Sequence, residues 1–484
     1  MGSTETEQTP IRILVVGGGF AGVYTALELQ RSLRGLPCAI DIVNRENFFV
    51  FYPLIPEIIS GAVETEHILT PIRQVVPGAT LFVGEVTGID LHEQRVDIRH
   101  GLYGHAQQVC SHSYDHLVLA LGGVPNTSRI LGLAEHAFDV QRLAHAFALR
   151  NHLVDVLEQA NITTDPLEKR RLLTFVVIGG GTNGVEVVAE IQGLMQGALA
   201  HYRYLAPEDV RVVLVQSGER VLPELSPKLG VFARRLLGER GVEVLLGHRV
   251  ARVDRDAVRL DDGTVIPSAT VVGSVGVRPS PLVRGLPVPH DVGGRVVVDD
   301  TLAVPGFPNV WALGDNALVM DPHTGRPYPQ TAQHAVREAR VVAHNIAASL
   351  EGKPLERIDY RTRGQLVALG HRSAVADIRG HTFSGFAAWW LWRTYYLAQL
   401  PRWEKRVRVT LDWTLDLLFP PSLVQLKVGQ PTPDGRAATR AVVADPPGER
   451  AAVPDAVALG AIAGGPARHL VAVGGGLTIL EGWR

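Results

Sequence analysis

Two stretches of this chain carry one glycine pattern. VGGGFAG (16–22) and IGGGTNGVE (178–186) each follow an apolar run and open a helical pattern. Gly17, Gly19 and Gly22 give GxGxxG, and so do Gly179, Gly181 and Gly184. In each, the first glycine permits a tight strand-to-helix turn. The second lets backbone approach a pyrophosphate, and the third lets helix and strand pack closely. The free N–H groups of the helix start then face the phosphates. A lone GxGxxG is weak evidence. Two of them, each between a strand and a helix, predict two dinucleotide sites.

The pattern around the turns predicts α/β architecture. IRILVV and AIDIVN read as buried parallel strands flanking a crossover helix. FVGEVTGIDLHEQRVDIRH alternates like antiparallel strands, and YDHLVLALGG is a further strand ending in glycines. A helical stretch (143–160) precedes LLTFVVIGGGTNGVEVVAEIQGLM, which restarts strand–turn–helix, with RVVLVQ as its second strand. NVWALGD (309–315) returns to a strand ending in Gly314-Asp315. One unit is thus interrupted by another of its kind: two nested Rossmann-like domains. The expected divisions are 11–145 and 291–382 for the first domain, 146–290 for the second, an aromatic segment 383–428, and a Pro/Gly/Ala-rich tail 429–484. LVAVGGGLTIL (470–480) is a candidate docking or pairing piece of that tail.

Composition excludes several functions. Of 484 residues, 46% are hydrophobic and 20% charged, with a net charge of -2, so nucleic acid is not an expected partner. The two cysteines, Cys38 and Cys110, form no CxxC, which argues against a redox dithiol, an Fe–S cluster or a cysteine metal site; no metal is expected. MGSTETEQTP lacks the basic and apolar regions of a signal peptide. The longest apolar run, 383–400, carries Arg393 and is not read as a transmembrane helix.

Two dinucleotide sites in one chain imply electron transfer between a resident flavin and an exchanging nicotinamide. LVLALGG and VWALGDNA suit FAD at the first, where Asp315 can face the ribityl chain. The candidates at this site are Gly17, Gly19, Phe20, Ala21, Gly22, Asn44, Arg45, Val86, Ala120, Gly122 and Asp315. At the nicotinamide site they are Gly179, Gly181, Thr182, Asn183, Gly184, Gln216 and Gly276.

The layout of GGGFAG, NFFVFYPLIPEIISGAVE, YDHLVLALGG, GGGTNGVE, VWALGD, TAQHA and the 370–413 segment resembles the type II NADH:quinone oxidoreductases over about residues 11–428. These are single-chain, non-proton-pumping NADH dehydrogenases. The resemblance implies FAD at the first turn and NADH, with NADPH as an alternative, at the second. It implies a quinone as acceptor and a peripheral place on the cytoplasmic side of the cell membrane. It also implies Glu186 near the isoalloxazine as a proton handler, and Ala332-Gln333 near flavin and quinone. From the residues alone, Glu186 in a first helical turn also fits a dipole-favouring carboxylate, and Gln333 a surface glutamine. The rival functions are a reductase of another acceptor and an NAD(P)H-responsive regulator.

Two departures stand out. The acid expected at the end of each second strand, for the adenosine ribose, is Asn44 in one and Gln216 in the other. Gln216 does not repel a 2′-phosphate, and Arg220 lies near it. Arg337 stands where a second glutamine of the AQ-containing helix is expected.

Five of the seven tryptophans fall between 389 and 413, beside Arg402, Lys405, Arg406 and Arg408. Aromatic rings with basic residues suit a headgroup interface. Arg408, Asp412 and Asp416 form one helical stripe, with Val407, Leu411, Leu415 and Leu418 opposite. A bilayer surface, a homodimer interface and packing on the core all fit this pattern.

Overall fold

Two parallel sheets form the frame. The computed structural model describes residues 10–101 and 107–426. Ile11–Val16, an apolar run buried over its last four residues, lies between Cys38–Asn44 and His116–Leu119, parallel to both. Burial on both faces explains why these strands read as continuous apolar runs. Thr80–Val83 adds beyond Cys38–Asn44, and Phe307–Ala312 adds beside His116–Leu119. The chain therefore leaves this sheet after residue 119 and returns to it near 307.

The intervening segment builds a second parallel sheet, ordered Phe138–Asp139, Thr270–Gly273, Thr174–Ile178, Arg211–Gln216, Val242–Leu246. An antiparallel ribbon of Gly123–Pro125 with Val277–Pro279 joins the crossings between the two halves. The expected antiparallel strands are Glu85–Asp90 and Arg95–His100, with Gln108–Ser113 as a third. The helical stretch is Leu143–Ile162.

The C-terminal segment differs from a single apolar run. A three-stranded antiparallel sheet, Gly364–Ala368, Ala374–Ile378 and His381–Gly385, takes the first residues of that run. Helix Phe386–Gln399 follows and stops before Pro401; the residue before a proline disfavours helix. A second helix is Trp403–Asp416. Among the described residues no helix is long and apolar enough to cross a membrane. The tail at 429–484 and LVAVGGGLTIL lie outside the described residues.

Helix Trp403–Asp416 turns the two aspartates of its polar stripe inward, while Arg408 stays exposed. Asp412 accepts the backbone N–H of Glu64 and lies 2.5 Å from His67 Nδ1. Asp416 pairs with Arg393 at 3.8 Å. Val409 and Trp413 are buried with them, while Val407, Leu411, Leu415 and Leu418 are exposed. Trp390, Tyr395, Trp403 and Phe419 are exposed as well.

Candidate functional site

The two glycine turns are steric copies. Gly17 and Gly179 have φ of +116° and +107°, which a side chain rarely adopts. A Cβ on Gly17 would lie 2.1 Å from the Ala120 carbonyl, and on Gly179 2.1 Å from that of Ser274. A Cβ on Gly22 or Gly184 would stand 1.8 Å from the carbonyl of Gly17 or Gly179. Gly19 differs: nothing lies within 4 Å of its Cβ direction, and Gly181 meets only Glu224 Oε1 at 3.2 Å. So the outer glycines hold helix against strand, and the middle one presents a bare backbone face of the kind a pyrophosphate needs.

Asn44 and Gln216 brace these turns. Asn44 Oδ1 accepts the Gly18 N–H at 2.9 Å and its amide donates to the Glu46 carbonyl. Gln216 Oε1 accepts the Gly180 N–H at 3.0 Å and its amide donates to the Arg220 carbonyl. Arg220 itself donates to the carbonyls of Leu225 and Pro223. It is folded onto its own loop rather than extended as a lone cation.

Other predicted residues fall around the first turn. Phe20 and Ala21 begin helix Phe20–Ser32. Arg45 is exposed just after Asn44, and Val86 pairs with Ile98 beside a bulge. Gly122 has φ +67° and open space where a Cβ would stand, and its N–H donates to Asn316 Oδ1 at 3.0 Å. Asp315 sits in the short turn Gly314–Asn316. Burial pushes its carboxyl up, and it accepts no hydrogen bond from the described residues. A polyol bearing hydroxyl donors suits such a group. Below it Glu338 accepts the Gly314 N–H at 2.7 Å and is itself pushed up to about 7 by burial. These residues fit an extended dinucleotide with a ribityl-like linker.

At the second turn Thr182 and Asn183 open helix Thr182–Leu199. Gly276 has φ +80° with open space on its Cβ side, and its carbonyl accepts the Asn126 N–H. Ala332 and Gln333 start helix Ala332–Leu350. Gln333 is not a surface glutamine: it is half-buried, its amide donates to the Gly364 carbonyl at 3.0 Å, and its oxygen accepts the Tyr360 hydroxyl at 3.1 Å. Arg337 lies over the Tyr360 ring at 5.4 Å. The arginine in the glutamine's place thus packs on the tyrosine that holds Gln333.

Glu186 requires a correction. It lies in the second turn of its helix, not the first, and is 6% exposed. A helix dipole acts within the first turn, so it does not explain this carboxylate. Its Oε1 accepts the Ala368 N–H at 3.0 Å, from the C-terminal sheet. Burial pushes it up to about 8, which the Ala368 bond opposes and nearby Glu57 reinforces. A group poised there holds a proton near neutral pH and can release it. Cys38 and Cys110 are both free and partly exposed rather than fully buried.

Sequence reasoning missed two neighbours. Glu190 stands one turn along the same helix, and Glu57 reaches in from helix Ile55–Ser60. Both are buried. The signal was present: each is a carboxylate inside an apolar run, EVVAEI and LIPEII.

Comparison with known proteins agrees with this geometry. Residues 11–339 match the pyridine nucleotide-disulphide oxidoreductase family model, and residues 363–420 match the NDH2 C-terminal domain. The type II NADH:quinone oxidoreductase Ndh of Mycobacterium tuberculosis is 35% identical over 422 residues, spanning 84% of this chain and 88% of that protein. The demethylphylloquinone reductase NdbB of Synechocystis is 32% identical, spanning 83% of this chain and 95% of that one. In fold, the chain matches the NDH2 of Plasmodium falciparum with a TM-score of 0.77 at 18% identity, covering 86% of this chain and 99% of that one. With two nested dinucleotide folds, no paired cysteines and the NDH2 C-terminal domain, this chain belongs to the type II NADH:quinone oxidoreductases.

Proposed function

We propose that this chain oxidises NADH at the second glycine turn and reduces a membrane quinone, with FAD held at the first. FAD, when bound, supplies the two-electron relay between nicotinamide and quinone. Gly19, Gly122 and Asp315 would hold it, with Gly17 and Gly22 fixing the turn. Gly181 and the start of helix Thr182–Leu199 would hold the nicotinamide dinucleotide. Gln333, fixed by Tyr360 and Gly364, offers a rigid amide at a helix start. Glu186 holds a proton where it can pass to the acceptor.

The observation that carries this reading is the convergence at Glu186. The helix of the second turn bears it, the C-terminal sheet binds it through Ala368, and the first domain supplies Glu57 beside it. One proton-holding group therefore sits where the helix of the second turn meets the first domain and the C-terminal sheet. On this basis we assign residues 11–145 and 291–382 to the flavin domain, 146–290 to the nicotinamide domain, and 383–428 to membrane contact.

The membrane reading rests on helix Trp403–Asp416, whose leucines face outward while its aspartates face the protein. Exposed aromatic rings border that apolar face, and Arg408 on the same helix is exposed, as a lipid headgroup region favours. The chain then lies as a peripheral protein on the cytoplasmic side of the membrane. A homodimer burying the same leucines is the competing occupant. Gln216 does not repel a 2′-phosphate, so NADPH is accepted as a second donor.

The test is turnover by the purified, flavin-loaded chain. NADH oxidation must depend on an added short-chain quinone. Flavin reduction by NADH without quinone turnover favours the regulator instead.

A further inference from the structure

The two glycine turns differ where a ligand would lie. No described atom stands within 4 Å of a Cβ placed on Gly19, whereas Glu224 Oε1 is 3.2 Å from one placed on Gly181. A carboxylate therefore stands beside the bare backbone face of the second turn. The loop that carries it is fastened to that turn. Gln216 Oε1 accepts the Gly180 N–H, and the Gln216 amide donates to the Arg220 carbonyl. The Leu222 N–H donates to the Gly180 carbonyl at 2.8 Å. Leu222 is fully buried at φ +50°, a conformation that leucine rarely adopts, so its packing and this bond hold the backbone there. The Leu225 N–H donates back to the Leu222 carbonyl at 3.0 Å, which closes a four-residue turn with Glu224 in third place. Pro223 stands second, where its fixed φ favours such a turn.

The charge of this loop is negative. Glu224 is exposed and forms no ion pair among the described residues. Arg220, the loop's own cation, gives its guanidinium hydrogen bonds to the Pro223 and Leu225 carbonyls. Glu219, the second acid, has its Oε1 3.5 Å from a Cβ placed on Gly247, just past the neighbouring strand Val242–Leu246. Gln216, in the place where an acid is expected, carries no charge. The acid nearest the bare face of Gly181 is instead Glu224, eight residues further along the chain.

We propose that Glu224 supplies the charge that Gln216 lacks, accepting a ribose hydroxyl of NADH and repelling the 2′-phosphate of NADPH. The proposal rests on the reading that the second turn takes the nicotinamide dinucleotide. A ribose hydroxyl is a donor that a free carboxylate accepts, whereas a phosphate monoester brings further negative charge against it. Both nucleotides carry the same pyrophosphate. Any repulsion between it and Glu224 falls on both alike and leaves the choice to the 2′ position. An exposed carboxylate is screened by salt, so NADPH is the weaker donor rather than an excluded one. Glu224 selects the donor and takes no part in hydride transfer.

The test uses the flavin-loaded full chain. Binding of NAD+ and NADP+ is measured by calorimetry, and reduction of the bound flavin by NADH and by NADPH is followed without quinone. Glu224→Gln keeps the side chain's length and removes its charge. It should raise the affinity for NADP+ relative to NAD+ about tenfold, the effect of one charged contact. Glu224→Lys should raise it further, and Glu224→Asp should keep most of the parent's preference. High salt should narrow the preference of the parent chain but not that of Glu224→Gln. The assignment is overturned if Glu224→Gln leaves the affinity ratio unchanged, or if Glu219→Gln moves it and Glu224→Gln does not. A parent chain whose flavin is reduced by neither nucleotide refutes the underlying reading of the second turn instead.

Discussion

Replacing Leu411, Leu415 and Leu418 together by serine should detach the chain from membranes. These side chains are 57%, 53% and 72% exposed, together nearly two leucines' worth of free surface. Full burial of a leucine is worth about 1.5–3 kcal/mol, so inserting this surface contributes roughly 3–5 kcal/mol. Its loss should lower the partition coefficient by roughly a hundred- to a few thousandfold, at about 1.4 kcal/mol per decade. The fold should survive, because none of the three lies in the core. The assay is co-sedimentation with anionic lipid vesicles at high salt, where headgroup electrostatics are screened. Sedimentation unchanged in the triple variant would refute the lipid assignment. A variant that turns from dimer to monomer, with vesicle binding intact, would give this face to a homodimer.

Two further outcomes follow from side chains at the site. Glu186 has its folded value raised from 4.5 to about 8, so the folded chain holds a proton that the unfolded chain has released. Stability is therefore greatest below the unfolded value and declines as pH climbs toward the folded one, by about 1.4 kcal/mol per pH unit. Glu186→Gln should remove about 2 kcal/mol of the loss between pH 6 and 8, read as urea midpoints at equal flavin loading. Parallel midpoints in both chains would contradict the burial argument. Gln216→Glu keeps an acceptor for the Gly180 N–H but adds a charge. It should lower the NADPH-to-NADH ratio of kcat/KM by about tenfold, and an unchanged ratio would show that residue 216 does not face the ribose.

Much of the frame was legible because its causes are local. Gly17, Gly22, Gly179 and Gly184 are required by backbone approaches within a few residues or one strand away, and the pattern states that requirement directly. Side-chain direction was less legible. Asn44 and Gln216 read as ribose partners, and the sequence did not show that their oxygens also accept the N–H groups of Gly18 and Gly180. Helix Trp403–Asp416 showed its two faces in the sequence, but not which one the protein would cover. That was decided by His67, Arg393 and Glu57, from three distant segments. Glu57 and Glu190 stayed hidden for the same reason. A carboxylate in an apolar run becomes a proton holder only when tertiary packing removes its water.

The account stands on the two turns holding different dinucleotides, and Gly19 and Gly181 allow a direct test. Both have extended backbone, at φ -83° and -74°, and almost no neighbour where a Cβ would stand. Valine at either position should leave the fold intact and obstruct only a ligand. The measurement is the flavin absorbance of each purified variant, followed by mixing with NADH. Gly19→Val should emerge without flavin. Gly181→Val should keep its flavin, yet NADH should fail to bleach it. The reverse assignment, or loss of flavin in both variants, would contradict the account.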